Sequence, residues 1–158
     1  MSARLFVFCL FVFVALKASC EPDFREKTRD SCRAHVRESV PKYKIARTLT
    51  VKESNLIYLF LAVPSDSISR ESLISLGCKL GEKYQNWDML SAKIFTTRHA
   101  AENFHLPSGE GNALADIQAL KADYICIRKG SAAGQELLYN DDPNSPYMTV
   151  QIDLGSPQ

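Results

Sequence analysis

The sequence predicts an α+β domain: a two-layer sandwich in which a mixed, mostly antiparallel sheet of about five to six strands carries one main helix, residues 69–86, on one face. Three observations lead there. Leu56 to Val63 is an unbroken apolar run ended by Pro64, the pattern of a strand covered on both faces. From Ser69 to Trp87, apolar residues recur at helical spacing. Elsewhere the chain repeatedly alternates apolar and polar residues with period two, as half-buried strands do.

The N-terminus is set apart from this pattern. One positive charge at Arg4 precedes an apolar stretch from Leu5 to Leu16, and small residues follow at Ala18 and Ser19. That is the layout of a secretory signal peptide over residues 1–20, with Glu21 as the mature N-terminus. The stretch falls short of the ~20 apolar residues of a spanning helix, so no transmembrane span is expected after signal removal. The alternative is a lipid anchor on Cys20, but Lys17 stands where a lipobox places an apolar residue.

Residues 21–42 form a segment dense in both signs of charge. Phe24, Cys32, Val36 and Val40 recur at multiples of four, which predicts a short helix with a thin apolar stripe ending before Pro41. Its arginines read as a charge-balanced solvent face. Residues 43–155 then make up the single α+β domain, large enough for one core and too small for two.

Tyr43 to Val51 reads as a strand with Tyr43, Ile45, Leu49 and Val51 on one face, Arg47 being the exception to the alternation. Lys52 to Asn55 supplies a polar turn, and its Asn tolerates the left-handed conformation, so this strand should pair antiparallel with Leu56–Val63. Ser69 is placed to cap the main helix, Glu71 complements its dipole, and Ile68 with Leu73 can close a hydrophobic staple. Leu73, Leu76, Leu80, Tyr84 and Trp87 line the buried side. Gly77 and Gly81 break the helical pattern at a cost of roughly 1 kcal/mol each, and close packing of helix on sheet explains them.

Met89 to Thr97 alternates again, with Leu90, Ala92 and Ile94 opposite Ser91 and Lys93; strand, helix, strand implies a parallel pair. Arg98–Phe104 reads as a short helix and 105–112 as a loop. Ala119–Lys129 alternates, although Leu114–Leu120 is equally compatible with a helical turn. Gln135–Tyr139 and Met148–Leu154 complete the strands.

The formal net charge of +1 gives no basic excess for nucleic acid. Cys32, Cys78 and Cys126 remain after signal removal; a bridge would join Cys32 to Cys78 or Cys126 and tie down the N-terminal segment, while Cys126, amid Tyr124, Ile125 and Ile127, reads as buried and inert. His35, His99 and His105 lack zinc-ligand spacing, and H-E-x-x-H is absent, so no metal is assigned. Gly109-Glu110-Gly111-Asn112 lacks the G-K-[ST] ending of a phosphate loop, Asp141-Asp142 lacks the calcium-loop pattern, and no G-x-S-x-G elbow occurs; no cofactor is assigned.

The expectation is a secreted or periplasmic interaction domain without catalysis, taking a protein or small-molecule ligand. One alternative is a small secreted hydrolase with a site near His99 and His105, joined by Asp116. The other is a protease inhibitor presenting the Pro107–Asn112 loop, since loops carry function more often than cores do.

Overall fold

The computed structural model describes residues 26–29, 32, 39–105, 114–142, 148 and 150–157. The expected signal segment with Cys20, His35 and the Pro107–Asn112 loop lie outside the described residues. In chain order the elements are β1 (Glu26–Arg29), β2 (Lys44–Val51), β3 (Leu56–Ala62), α1 (Arg70–Lys83), β4 (Met89–Phe95), α2 (Arg98–Asn103), α3 (Leu114–Ala119), β5 (Leu120–Ile127), β6 (Gly134–Tyr139) and β7 (Val150–Gly155). The strands join in one mixed sheet, ordered β1-β7-β6-β5-β4-β3-β2. Only β3–β4 and β1–β7 are parallel. The α+β sheet with one main helix packed on it is therefore the fold, with β1 a short strand added at the edge.

The β2–β3 hairpin forms as expected. Lys52–Ser54 makes a single 3₁₀ turn and Asn55 takes the left-handed conformation at φ 50°, ψ 46°, which its short polar side chain tolerates. Asn55 also fixes the start of β4: its carbonyl accepts from the amides of Asp88 and Met89, and its side chain donates to the Asn86 carbonyl. The end of the hairpin and the end of the α1 connection are thereby held together, which sets β3 and β4 side by side.

Helix α1 begins at the expected cap. The Ser69 hydroxyl accepts from the Ser72 amide at 3.0 Å, and the Ser72 hydroxyl returns the bond to the Ser69 amide at 2.8 Å. This reciprocal pair satisfies two amides that the first turn leaves without carbonyl partners. Leu73, Leu76 and Leu80 are fully buried against Ile57, Leu59 and Leu61 of β3, Leu90, Ala92 and Ile94 of β4, and Ala122, Tyr124 and Cys126 of β5. The glycines are where the helix meets the sheet most closely. A Cβ at Gly77 would lie 2.6 Å from the Tyr124 ring, and one at Gly81 would lie 2.3 Å from its hydroxyl. Close packing is thus the reason for both glycines.

Strand β3 is covered on both faces, as its apolar run requires. Its odd-numbered residues enter the α1 core, and its even-numbered face contributes Phe60 to a second cluster with Phe95, Ala100, Ala101, Phe104 and Ala119. Helices α2 and α3 build that cluster at one end of the opposite sheet face. Thr97 starts α2 by accepting from the Ala100 amide, and Phe95 stacks on Phe60 while the Phe104 ring meets it at a tilt.

Two expectations about the N-terminal third are corrected. Glu26–Arg29 is a strand rather than part of a helix; it pairs in parallel with β7, from Glu26 opposite Val150 to Arg29 opposite Asp153. The thin stripe read as helical offers little burial, whereas the free edge of β7 offers a row of backbone partners, and tertiary pairing overrides weak local preference. In β2, the expected single apolar face does not exist. The register with β3 shifts between Ile45 and Arg47, leaving Ala46 as the bulged residue. Ile45 opposes Leu61 on the α1 side, while Arg47, Leu49 and Val51 oppose Phe60, Tyr58 and Leu56 on the other side. The anomaly at Arg47 is the bulge.

Cys32 and Cys78 form a disulfide, which fastens the N-terminal segment to α1, and Cys126 is free and buried. No helix among the described residues is long and apolar enough to cross a membrane.

Candidate functional site

The α1 face of the sheet is filled by the core. Helices α2 and α3 occupy the Phe60–Phe95 end of the opposite face, and the rest of that face carries polar side chains interleaved with apolar ones. Register places Ser91 beside Ile125, and Ile125 beside Glu136; Lys93 lies beside Asp123; Glu136 lies beside Asp153, and Leu138 beside Gln151. Directly opposed residues share a face, so these side chains form neighbouring rows across β4 to β7.

Next to the aromatic cluster sits a polar trio. The Lys93 ammonium donates to one Asp123 carboxylate oxygen at 2.5 Å, and the Ser91 hydroxyl donates to the other at 3.1 Å. The Lys93 and Asp123 side chains are only 15% and 12% exposed. Ions so far from water persist only when paired and hydrogen-bonded, and here both carboxylate oxygens have donors. Ser91 is buried, and the carboxylate beside it is committed to an ammonium. The trio therefore has neither a reachable nucleophile nor a free base, and its role is to hold β4 to β5.

Towards β6 and β7 the same face opens into a depression of about 320 Å³, lined by Ile125, Ile127, Ala132, Gly134, Gln135, Glu136, Gln151 and Asp153. Isoleucines from β5 make the apolar part, and the polar part comes from β6 and β7. Glu136 accepts from the Gln151 side-chain amide at 2.6 Å, and Asp153 accepts from the Gly155 amide at 2.9 Å. Each carboxylate has further lone pairs beyond the one so engaged. Chemically the depression can take an apolar group and accept hydrogen bonds from a donor or a cation at its edge.

Beneath it, on the α1 side, Gln135 is anchored. Its carbonyl oxygen accepts from the buried Tyr124 hydroxyl at 2.6 Å, and its amide donates to the Ser156 carbonyl. Burial pushes the Tyr124 phenol far above its ordinary pKa, so it stays a neutral donor. The floor beneath the depression is thus fixed from behind. Comparison with protein families, with curated proteins and with solved structures returns no match for this chain. The geometry alone carries the functional reading.

None of the residues singled out for hydrolysis lines the depression. His99 is exposed on α2, where its ring and carbonyl meet the Asn103 amide rather than a carboxylate. His105 is exposed just after α2, and Asp116 lies in the first turn of α3. Among the described residues no group of three or more His, Cys, Asp or Glu side chains could hold a metal ion. What the sequence reading missed is the depression itself. Its only sequence signal is Glu136, Gln151 and Asp153 at period-two positions, the same signal as any wet sheet face.

Proposed function

We propose that this chain is an exported, non-enzymatic binding domain that receives its ligand on the β5–β7 part of the sheet face opposite α1. The observation that carries this reading is the depression, with an apolar floor from Ile125 and Ile127 beside the carboxylates of Glu136 and Asp153 on a rigid sheet. Sites built on strands are held more firmly than sites on loops, and concave, partly apolar surfaces with a few convergent polar groups are where ligands bind. The fitting ligand has an apolar body and a donor or cationic end, whether a small molecule or a partner's side chain. Export rests on the signal-like N-terminus, and the Cys32–Cys78 bridge is in keeping with an oxidising compartment.

The test is amide chemical-shift mapping of the mature chain with N-acetyl amino-acid amides as probes. Shifts confined to 125–127, 134–136 and 151–153, largest for the arginine and lysine derivatives, would support the reading. Shifts gathered on α2 around His99, or spread over the surface, would overturn it. Mass spectrometry of the exported chain tests the compartment: an N-terminus at Glu21 is expected, and a lipid-modified Cys20 would replace free secretion with anchoring.

A further inference from the structure

The two edges of the sheet differ in kind. At one edge β1 spans only Glu26–Arg29, four residues of which three are charged, the usual means of discouraging a further strand. At the other edge β2 spans eight residues, Lys44–Val51, and among the described residues it pairs on one side only, with β3. Among the described residues, no backbone hydrogen bond outside the ladders involves β2.

The devices that guard such an edge, a bulge and lysines, lie at its two ends and leave the middle of β2 open. The bulge lies at the Lys44 end, between Ile45 and Arg47, so from Arg47 to Val51 the ladder runs without interruption. Arg47 does not project over the edge: its guanidinium lies 4.0 Å from the centre of the Phe60 ring and donates to the Phe104 carbonyl. What remains is Thr48-Leu49-Thr50-Val51, with Leu49 and Val51 about two-fifths exposed at 41% and 39%. A row of unpaired backbone groups bearing exposed β-favouring side chains is a template for strand addition.

Charge decides the kind of strand. Lys42, Lys44 and Lys52 are exposed around this stretch against one exposed acidic neighbour, Glu53, so this edge is locally positive although the whole chain carries only one net positive charge. A second copy adding antiparallel along Thr48–Val51 would set Lys52 of each chain beside Arg47 of the other, and like charges across strands are unfavourable. We infer that β2 is a docking strand for an extended peptide segment with a β-branched centre and acidic flanks, added by backbone hydrogen bonds along Thr48–Val51. This inference is independent of the β5–β7 depression, which lies at the opposite side of the sheet order.

A blocked peptide of sequence Glu-Glu-Thr-Val-Thr-Val-Thr-Glu-Glu, dye-labelled for anisotropy, tests this with the mature chain. Binding is expected, with slowed hydrogen exchange at 48–51. Replacing the four Glu by Lys, or N-methylating alternate amides of the centre, should each weaken it by about tenfold or more, because the first inverts the electrostatic match and the second removes main-chain bonds. The double variant Lys44→Glu/Lys52→Glu touches two exposed side chains and should exchange preferences, losing the acidic peptide and gaining the Lys-flanked one. The inference is overturned if the acidic peptide does not bind, or if the N-methylated peptide binds equally well. It is also overturned if the Glu and Lys versions are indistinguishable, or if the chain alone sediments as a dimer with 48–51 already protected.

Discussion

Replacing Gly81 by Ala sets two effects against each other, and the structure says which wins. In an isolated helix the change is favourable by about 1 kcal/mol. In this helix the new methyl group would meet the Tyr124 hydroxyl at 2.3 Å and the Gln135 side-chain oxygen at 3.1 Å. Tyr124 is fully buried and its hydroxyl is held by Gln135 at 2.6 Å, so the oxygen has nowhere to retreat. Overpacking costs about 1–3 kcal/mol and a spoiled buried hydrogen bond about another 1–3 kcal/mol, which outweighs the gain in propensity. The expected net loss is roughly 1–5 kcal/mol, read from urea melts by circular dichroism. The second arm identifies the atom responsible. Tyr124→Phe removes the offending oxygen, and the next ring atom is at an ordinary 3.4 Å, so Gly81→Ala should cost much less in that background. Gly77→Ala should not be rescued, because its methyl would meet the ring carbon Cδ2 at 2.6 Å, which Phe retains. The reasoning fails if Gly81→Ala raises the urea midpoint, or if it and Tyr124→Phe add within about 0.5 kcal/mol.

Three further outcomes follow from the same contacts. Asp123→Ala should cost about 3–5 kcal/mol by stranding the Lys93 ammonium, while the paired change Lys93→Met/Asp123→Leu should be far milder; equal costs in urea melts would refute the pairing. In the chain from residue 21 onward, Ellman's reagent should find no thiol in the native state and only Cys126 after unfolding without reductant, since Cys32 and Cys78 are bridged and burial pushes the Cys126 thiol up; reduction should cost about 2–4 kcal/mol. The Lys129 ammonium, with help from Asn55, holds the Asp88 carboxyl below the ordinary value. A depressed folded pKa gives stability that is full above the unfolded value, about 3.9, and is lost as pH falls through the folded one. Asp88→Asn should therefore flatten the acid limb of the melting-temperature profile below about pH 4, and an unchanged limb would dismiss the contact.

The parts of the fold legible in the sequence are those set by short-range chemistry. Ser69 caps because its hydroxyl reaches an amide three residues on; Asn55 turns the chain because its own side chain tolerates the conformation; Leu73, Leu76 and Leu80 share a face because of helical pitch. Gly77 and Gly81 even announced a close approach, though not that Tyr124, more than forty residues away, was what they approached. The failures all need a distant partner. Strand β1 forms only because β7, over a hundred residues later, leaves an edge for it. The face change in β2 depends on a bulge against β3, which the alternation records only as a misplaced Arg47.

The candidate site was illegible for a related reason. Glu136 and Asp153 are seventeen positions apart and become neighbours only through the β6–β7 register, itself shifted between Gln135 and Glu136. Polar residues at alternate positions mean only that one face of a strand is wet. Whether that face is merely solvated or is a receiving surface depends on concavity, and concavity comes from how strands and turns are assembled. The flanking turn puts Ala132 at the rim, Ile125 and Ile127 supply an apolar floor where a plain wet face would be polar, and Tyr124 with Gln135 braces the sheet from behind. Apolar residues kept on a half-exposed face cost solubility and add nothing to the core on the other side. On the proposed reading, their presence beside carboxylates with lone pairs to spare is what would separate a binding surface from a solvent surface, and it emerges only once the rows are laid side by side.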